Sequence, residues 1–192
     1  MTEEVNQHFP STYTDIVKAT AQSGFTMASD ILTCSLLRTL AAAKPSGRFL
    51  ELGTGTGLST CWILDGMDNN STLVSIDNEL LFLEIAKNNL GFDNRLNLVL
   101  TDASIWIDRN KNQKFDYIFA DTWYGKYLRI DDVLSMLKKG GLYIIDDMLP
   151  QPNWPEGHQE KVASLIKYLE AREDLLLTKQ SWATGIIVAT KK

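Results

Sequence analysis

The segment Glu51-Leu52-Gly53-Thr54-Gly55-Thr56-Gly57 carries the densest chemical signal in this 192-residue chain. Alternating glycines let a backbone turn sharply and come close to a ligand. The free N–H groups of a helix that follows such a turn attract an anion. Spacing selects the ligand. A dinucleotide loop reads G-x-G-x-x-G, and its third glycine would fall on Leu58. The loop here is G-x-G-x-G, led by an acid at Glu51. Asp77 ends the next apolar run, 24 residues beyond Gly53, where a carboxylate can accept both hydroxyls of a ribose. Together these residues describe a site for an adenosine-type ligand with an amino-acid tail. The tail's carboxylate would face the loop, and its ammonium would face backbone carbonyls or Glu51. Three alternating glycines cost stability unless close approach requires them, which weighs against a ligand-free tight turn.

Such a site needs a strand before the loop and a helix after it. Residues 48–52 form a short apolar strand, and 58–67 read as a helix. Four more short apolar runs, 72–77, 96–100, 115–120 and 142–145, read as strands. Between them, 79–90 is a helix closed by Gly91, and Ile130, Val133, Leu134 and Leu137 share one helical face. Lys138 and Lys139 suit that helix's C-terminus, with Gly140 and Gly141 stopping it. Upstream, the Leu32, Leu36 and Leu40 spacing predicts a helix over 26–43. Downstream, Val162, Leu165, Ile166 and Leu169 predict another, followed by β-like runs at 175–178 and 185–190. Near-continuous apolar strands between amphipathic helices imply a parallel sheet covered on both faces. The two last runs imply an antiparallel C-terminal hairpin. Pro150, Pro152 and Pro155 mark a rigid loop within a single domain over 1–192.

Composition narrows the function classes. Hydrophobic residues make up 44% and charged residues 22%, ordinary for a globular domain. Lys plus Arg is 19 against 24 Asp plus Glu, a net charge of −5. That balance, with no Lys/Arg-rich segment, argues against a nucleic-acid surface. No apolar run approaches the ~20 residues that span a bilayer, and residues 1–10 are too polar for a signal peptide. Cys34 and Cys61 form no disulfide framework or metal spacing and read as buried small hydrophobes, so the expected setting is cytoplasmic. His8 and His158 are too few for a multi-histidine zinc site.

The loop ELGTGTGLS followed by VSID resembles the class I S-adenosylmethionine-dependent methyltransferases. The resemblance covers nearly the whole chain. It implies a Rossmann-like, seven-stranded, mostly parallel sheet with helices on both faces and a C-terminal antiparallel hairpin. It places the cofactor S-adenosylmethionine on Glu51, Gly53, Thr54, Gly55, Gly57, Ser59, Asp77, Asn78 and Asp121, with Asp102, Ala103 and Ser104 beside the adenine. The segment 1–44, through Met27, would cover the cofactor.

A narrower likeness follows the fourth strand. FADTWYGKY is similar to the metal-dependent catechol and caffeoyl-CoA O-methyltransferases. It puts Asp121 on that family's first metal ligand, Asp146 and Asp147 on its Asp-Asn metal pair, and Trp123 beside the acceptor. Two positions depart from the pattern: Asp147 replaces the asparagine, and Tyr124 replaces the lysine that often serves as acceptor base. Lys126, two places on, is the alternative catalytic residue beside Asp121, weighed against a plain solvated charge. Trp123, Tyr124 and Trp154 are expected to shape an aromatic acceptor pocket, although Tyr124 also reads as a packing aromatic. His158 reads as a surface residue at a helix start.

The resemblance thus implies a methyltransferase acting on a small hydroxylated, catechol-like aromatic. A phenol has a pKa near 10, and a bound Mg²⁺ would lower it. Three carboxylates around a dication leave −1, whereas two and a neutral amide leave 0, so Asp147 is expected to point away or bond elsewhere. The alternative readings are methylation of a hydroxylated tRNA base and, on a similar sheet, a nicotinamide-dependent oxidoreductase, against which Leu58 argues. A homodimer stays open.

Overall fold

The computed structural model describes residues 8–152 and 154–192. The first seven residues of the N-terminal segment, and Asn153 in the proline loop, lie outside the described residues. Strands Arg48–Leu52 (β1), Thr72–Asp77 (β2), Leu96–Leu100 (β3), Phe115–Ala120 (β4), Leu137–Ile145 (β5), Leu175–Gln180 (β6) and Ile186–Lys191 (β7) form one sheet in the order β3-β2-β1-β4-β5-β7-β6. The first five pair in parallel. β7 inserts antiparallel between β5 and β6. The seven-stranded, mostly parallel sheet with a terminal antiparallel hairpin is the expected one.

Helices cover both faces because the central strands are apolar on both. Leu50 and Leu52 of β1 and Ile118 and Ala120 of β4 face one core, packed by Trp106, Val133 and Leu165. Phe49, Tyr117 and Phe119 alternate to the other, packed by Ile16, Leu37 and Trp62. The first core lies under Ala103–Asn110 (α5), Ile130–Met136 (α6) and His158–Glu170 (α7). The second lies under Tyr13–Ser23 (α1), Ile31–Ala42 (α2) and Leu58–Gly66 (α3). Leu80–Leu90 (α4) links β2 to β3. Cys34 and Cys61 are free thiols buried in the second core. Among the described residues, no helix is long and apolar enough to cross a membrane.

Three local expectations need correction. The helix predicted over 26–43 begins only at Ile31, because the Asp30 carboxylate accepts from Leu32 N–H at 2.7 Å and caps it. Residues 26–30 form an irregular segment instead. α6 ends at Met136, so Leu137 opens β5 by pairing with Phe115. Lys138 and Lys139 sit in a bulge where the register shifts, and Lys138 bonds Asp116 at 2.8 Å instead of capping a helix. Residues 103–110, where the spacing predicts no helix, form α5, capped by Asp102 through Ser104 and Ile105 N–H.

The chain passes from β1 outward through β2 to β3, then returns to place β4 on the other side of β1. Connections diverge between β1 and β4, and a crevice opens there beyond the strands' carboxyl ends.

Candidate active site

A cleft of about 530 Å³ occupies that crevice, running from Asp77 past the glycine loop to Asp121, Asp146 and His158. At one end, Gly53, Thr54 and Gly55 line it with Asp77 and Asn78. The Asp77 carboxylate accepts from Gly55 N–H at 2.7 Å and from Glu79 N–H at 2.9 Å, tying the loop to the end of β2. Beside it, Asp102 and Ala103 line a second cleft of about 370 Å³ that shares Asp77, Asn78 and Trp123 with the first. Met27 stands 66% exposed at the mouth, on the irregular segment before α2.

Several residues expected to meet a ligand here do other work. Glu51 is fully buried, and its carboxylate accepts from Ser59 and Thr60 hydroxyls at 2.6 Å and from Ser75. Burial raises its pKa to about 7 against the pull of those three hydroxyls. It clamps α3 and β2 to β1 and presents nothing to the cleft. Ser59 lines the cleft, but its hydroxyl is spent on Glu51. Gly57 faces away: a Cβ there would lie 3.0 Å from Ala86 and Leu90, so this glycine serves the close approach of α4. Ser104 accepts from Arg129 Nη1 at 2.8 Å and is turned to that side chain.

The other end is acidic and aromatic. Asp121, at the end of β4, accepts from Ser29 at 3.1 Å on Oδ2 and from Lys126 Nζ at 3.0 Å on Oδ1. Lys126 is only 5% exposed, and its Nζ lies 3.8 Å from Asp147 Oδ2. Burial pulls the Lys126 pKa down, but Asp121, Asp147 and Asp146 outweigh it and hold the ammonium charged. The solvated-charge reading of Lys126 is therefore corrected. Asp146 is buried, accepting from Asp147 N–H at 2.8 Å, from Thr33 at 3.4 Å and from Thr184. Burial, then the carboxylates of Asp121 and Asp147, push its pKa up.

The metal reading fails on this donor set. A divalent ion on Asp121, Asp146 and Asp147 needs free carboxylate oxygens facing one point, and Lys126 brings its own cation there. Both oxygens of Asp121 accept hydrogen bonds, one of them from Lys126, and Asp147 Oδ2 lies 3.8 Å from the same ammonium. Among the described residues, no three His, Cys, Asp or Glu side chains are grouped to hold a metal ion. The residues present do not fit Mg²⁺.

Trp123 and Trp154 line the cleft as expected. Tyr124 does not: it packs against the core below α5–α7 and borders the second cleft. In its place stand Tyr127 and His158, both missed. His158 is 9% exposed rather than on the surface. Its Nε2 lies 3.1 Å from Tyr127 Oη, and its ring is 4.5 Å from Trp154. Among the described residues, its buried Nδ1 has no hydrogen-bond partner. Burial, then the cations of Lys126 and Lys161, lower its pKa. The available signals were faint: Tyr127 adjoins Lys126, and His158 follows the proline loop.

With the geometry in view, comparison with known proteins is decisive on one point. A family profile described as a methyltransferase domain matches residues 50–148, just over half of the chain. The chain belongs to that methyltransferase-domain family. A protein of Mycobacterium avium, provisionally named an O-methyltransferase, is 33% identical over 92 residues, covering 45% of this chain and 40% of that protein. The catechol O-methyltransferase of Mycobacterium tuberculosis is 25% identical over 114 residues, 57% of this chain and 52% of that one. The chain thus spans about half the length of these relatives or less. In fold it is similar to the Bacillus cereus O-methyltransferase solved with S-adenosylhomocysteine (TM-score 0.85, 18% identity, 98% of this chain and 94% of that one). It is likewise similar to TomG of Streptomyces achromogenes (TM-score 0.82, 22% identity, 96% and 91%).

Proposed function

We propose that this protein is an S-adenosylmethionine-dependent O-methyltransferase acting on a small hydroxylated aromatic. One observation carries the reading: a single cleft joins a glycine loop and ribose-type aspartate to an aromatic pocket lined by Trp123, Tyr127, Trp154 and His158. Clefts of 300–1,000 Å³ with few convergent polar groups suit ligands of this size. The family membership makes the donor a methyl sulfonium, and the names of the relatives point to oxygen as acceptor.

The residues divide the work. Asp77 and Asn78 would hold the ribose, the second cleft with Asp102 and Ala103 the adenine, and the N–H groups of residues 53–55 the tail's carboxylate. The tail's ammonium would face the backbone carbonyls of the glycine loop. Bound S-adenosylmethionine supplies an electrophilic methyl, and the protein's task is to set an acceptor oxygen in line with it, a positioning effect worth ~7–11 kcal/mol of barrier. The aromatic rings orient a flat acceptor by offset or edge contacts. The proton of the acceptor hydroxyl would leave toward the carboxylates and His158 that face the pocket.

Calorimetric titration tests the first half: S-adenosylhomocysteine is expected to bind and NADH not to. A screen of catechols, phenols and hydroxycinnamates for methyl transfer tests the second. Binding of NADH in preference to the homocysteine nucleoside would overturn the reading.

A further inference from the structure

We infer that Lys126 is the built-in cation of this cleft, standing where a divalent ion would otherwise sit, and that the acceptor is bound through a single oxygen. The second half rests on the methyl-transfer reading; the first stands on the geometry alone.

Lys126 is placed too firmly to be a surface lysine folded inward. It rises from a tight turn over 122–128. In that turn Tyr127 N–H and Leu128 N–H both bond Trp123 O at 2.9 Å, and Gly125 N–H bonds Leu128 O at 2.7 Å. The turn is pinned to the sheet through Gly125, whose carbonyl accepts from the buried Tyr143 hydroxyl. Gly125 has φ +86°, and a Cβ there would come 2.9 Å from Leu52 and 3.2 Å from Ala120. No side chain can be accommodated, so the turn's height above β4 is set by close packing. The ammonium is thereby delivered into the cleft between Asp121 and Asp147.

A dication would compete with it directly. Mg²⁺ sits about 2.0–2.1 Å from its oxygens. Bound to the Asp121 oxygen that lies 3.0 Å from Nζ, it would stand within about 5 Å of a positive charge in a water-poor site, where like charges repel strongly. The site resolves that conflict with one ammonium. The consequence is a different acceptor chemistry. A hard dication with open positions chelates two vicinal oxygens. An ammonium carries three donors and no chelating geometry. One N–H is committed to Asp121, and Asp147 lies at ion-pair distance, 3.8 Å, so the ammonium offers the acceptor hydrogen-bond donors and no chelating centre, for which one oxygen suffices. Acceptors with one ring hydroxyl then serve as well as vicinal diols.

The test titrates Mn²⁺ into the wild-type protein, with S-adenosylhomocysteine present, and follows the free-ion electron paramagnetic resonance signal. The expected result is an undiminished free-ion signal and turnover indifferent to EDTA. Lys126→Ala, which removes the ammonium and leaves the three aspartates, is expected to take up one Mn²⁺ and to lose it again when Asp121→Asn is added. A matched pair of hydroxycinnamates, one with a single ring hydroxyl and one with two, is expected to differ by less than about tenfold in kcat/KM. A site built around the second hydroxyl would reject the lesser analogue by roughly 10⁴-fold. Stoichiometric Mn²⁺ binding by the wild type, abolished by Asp121→Asn, overturns the inference even if Lys126→Ala fails to fold. So does a folded Lys126→Ala protein with unaltered metal binding and acceptor kinetics. If no acceptor of any kind is methylated, the methyl-transfer reading fails, and the Mn²⁺ titration still decides the role of Lys126.

Discussion

At one end of the cleft, residues 53–55 and Asp77 belong to a single β1–loop–α3–β2 stretch, and most of what they present is backbone. At the other end, Ser29, Asp121, Lys126, Asp146, Trp154 and His158 come from four separate segments and present side chains. The first end is a local design. Its shape follows from one strand-to-helix turn, and a ligand that needs N–H groups and one carboxylate can be met by it. The second exists only because β4, β5 and the loops before α2 and α7 converge. Its charges are set by burial and by mutual proximity, which together raise the pKa of Asp146 and, through the carboxylates, keep Lys126 charged. A local site tolerates change elsewhere in the chain; a convergent one is free to alter its chemistry by one substitution.

That contrast can be broken most severely within the glycine loop itself. Gly57→Val is expected to destabilise the protein by about 2–5 kcal/mol, from a strained backbone and overpacking against Ala86 and Leu90. Gly55→Val, whose new side chain would meet only the Phe25 ring at 3.1 Å, is expected to cost less stability and to abolish S-adenosylhomocysteine binding. Urea denaturation and calorimetry on both variants separate the two roles, and equal stability losses would erase the distinction drawn between these glycines.

Next in size is the buried carboxylate beneath the loop. With Glu51 raised from 4.5 to about 7 in the folded state, the native protein binds the extra proton between those values. Stability is therefore present in full below about pH 4.5 and is lost as pH rises through about 7, by an amount on the order of 3 kcal/mol. Glu51→Gln removes the ionisation. Wild type and variant are expected to diverge steadily in urea midpoint between pH 5 and 8, and parallel profiles would show that Glu51 stays ionised throughout.

Asp77→Ala is expected to weaken S-adenosylhomocysteine by roughly 1.5–3 kcal/mol, the scale of hydrogen bonds to a charged group. Acceptor KM should change far less. The smallest effect belongs to the convergent end. Trp154→Ala removes one aromatic contact to His158 and is expected to raise acceptor KM by the equivalent of about 0.5–1.5 kcal/mol, with cofactor affinity unchanged. A joint loss of both affinities in either variant would mean that the two ends are one cooperative unit.

Much of the fold was legible in the chain because burial leaves a one-dimensional trace. RFLEL and FDYIFA read as strands since β1 and β4 are covered on both faces and tolerate few polar residues. α5 escaped notice because ASIWIDRN buries only Ala103, Trp106 and Ile107, too few to show a helical period. The start of α2 was misplaced because Thr26 and Met27 continue the apolar texture while Asp30, the cap, decides the boundary.

The candidate site divides along the same line. The sequence by itself determined the glycine-loop end of the cleft: glycine spacing, the missing dinucleotide glycine and Asp77 are properties of neighbouring residues, and a turn between a strand and a helix has few ways to form. Only the tertiary structure decided that Glu51 is a buried clamp, that Tyr124 faces the core while Tyr127 and His158 take the pocket, and that Lys126 lies among the aspartates. Spacing along a chain does not report which side of a turn a side chain leaves from. Here the turn over 122–128 is oriented by packing of Gly125 on Leu52, Ala120 and Tyr143, residues up to 73 positions away. The charge at the reacting end is therefore fixed by close packing between distant segments, and no local pattern carries it.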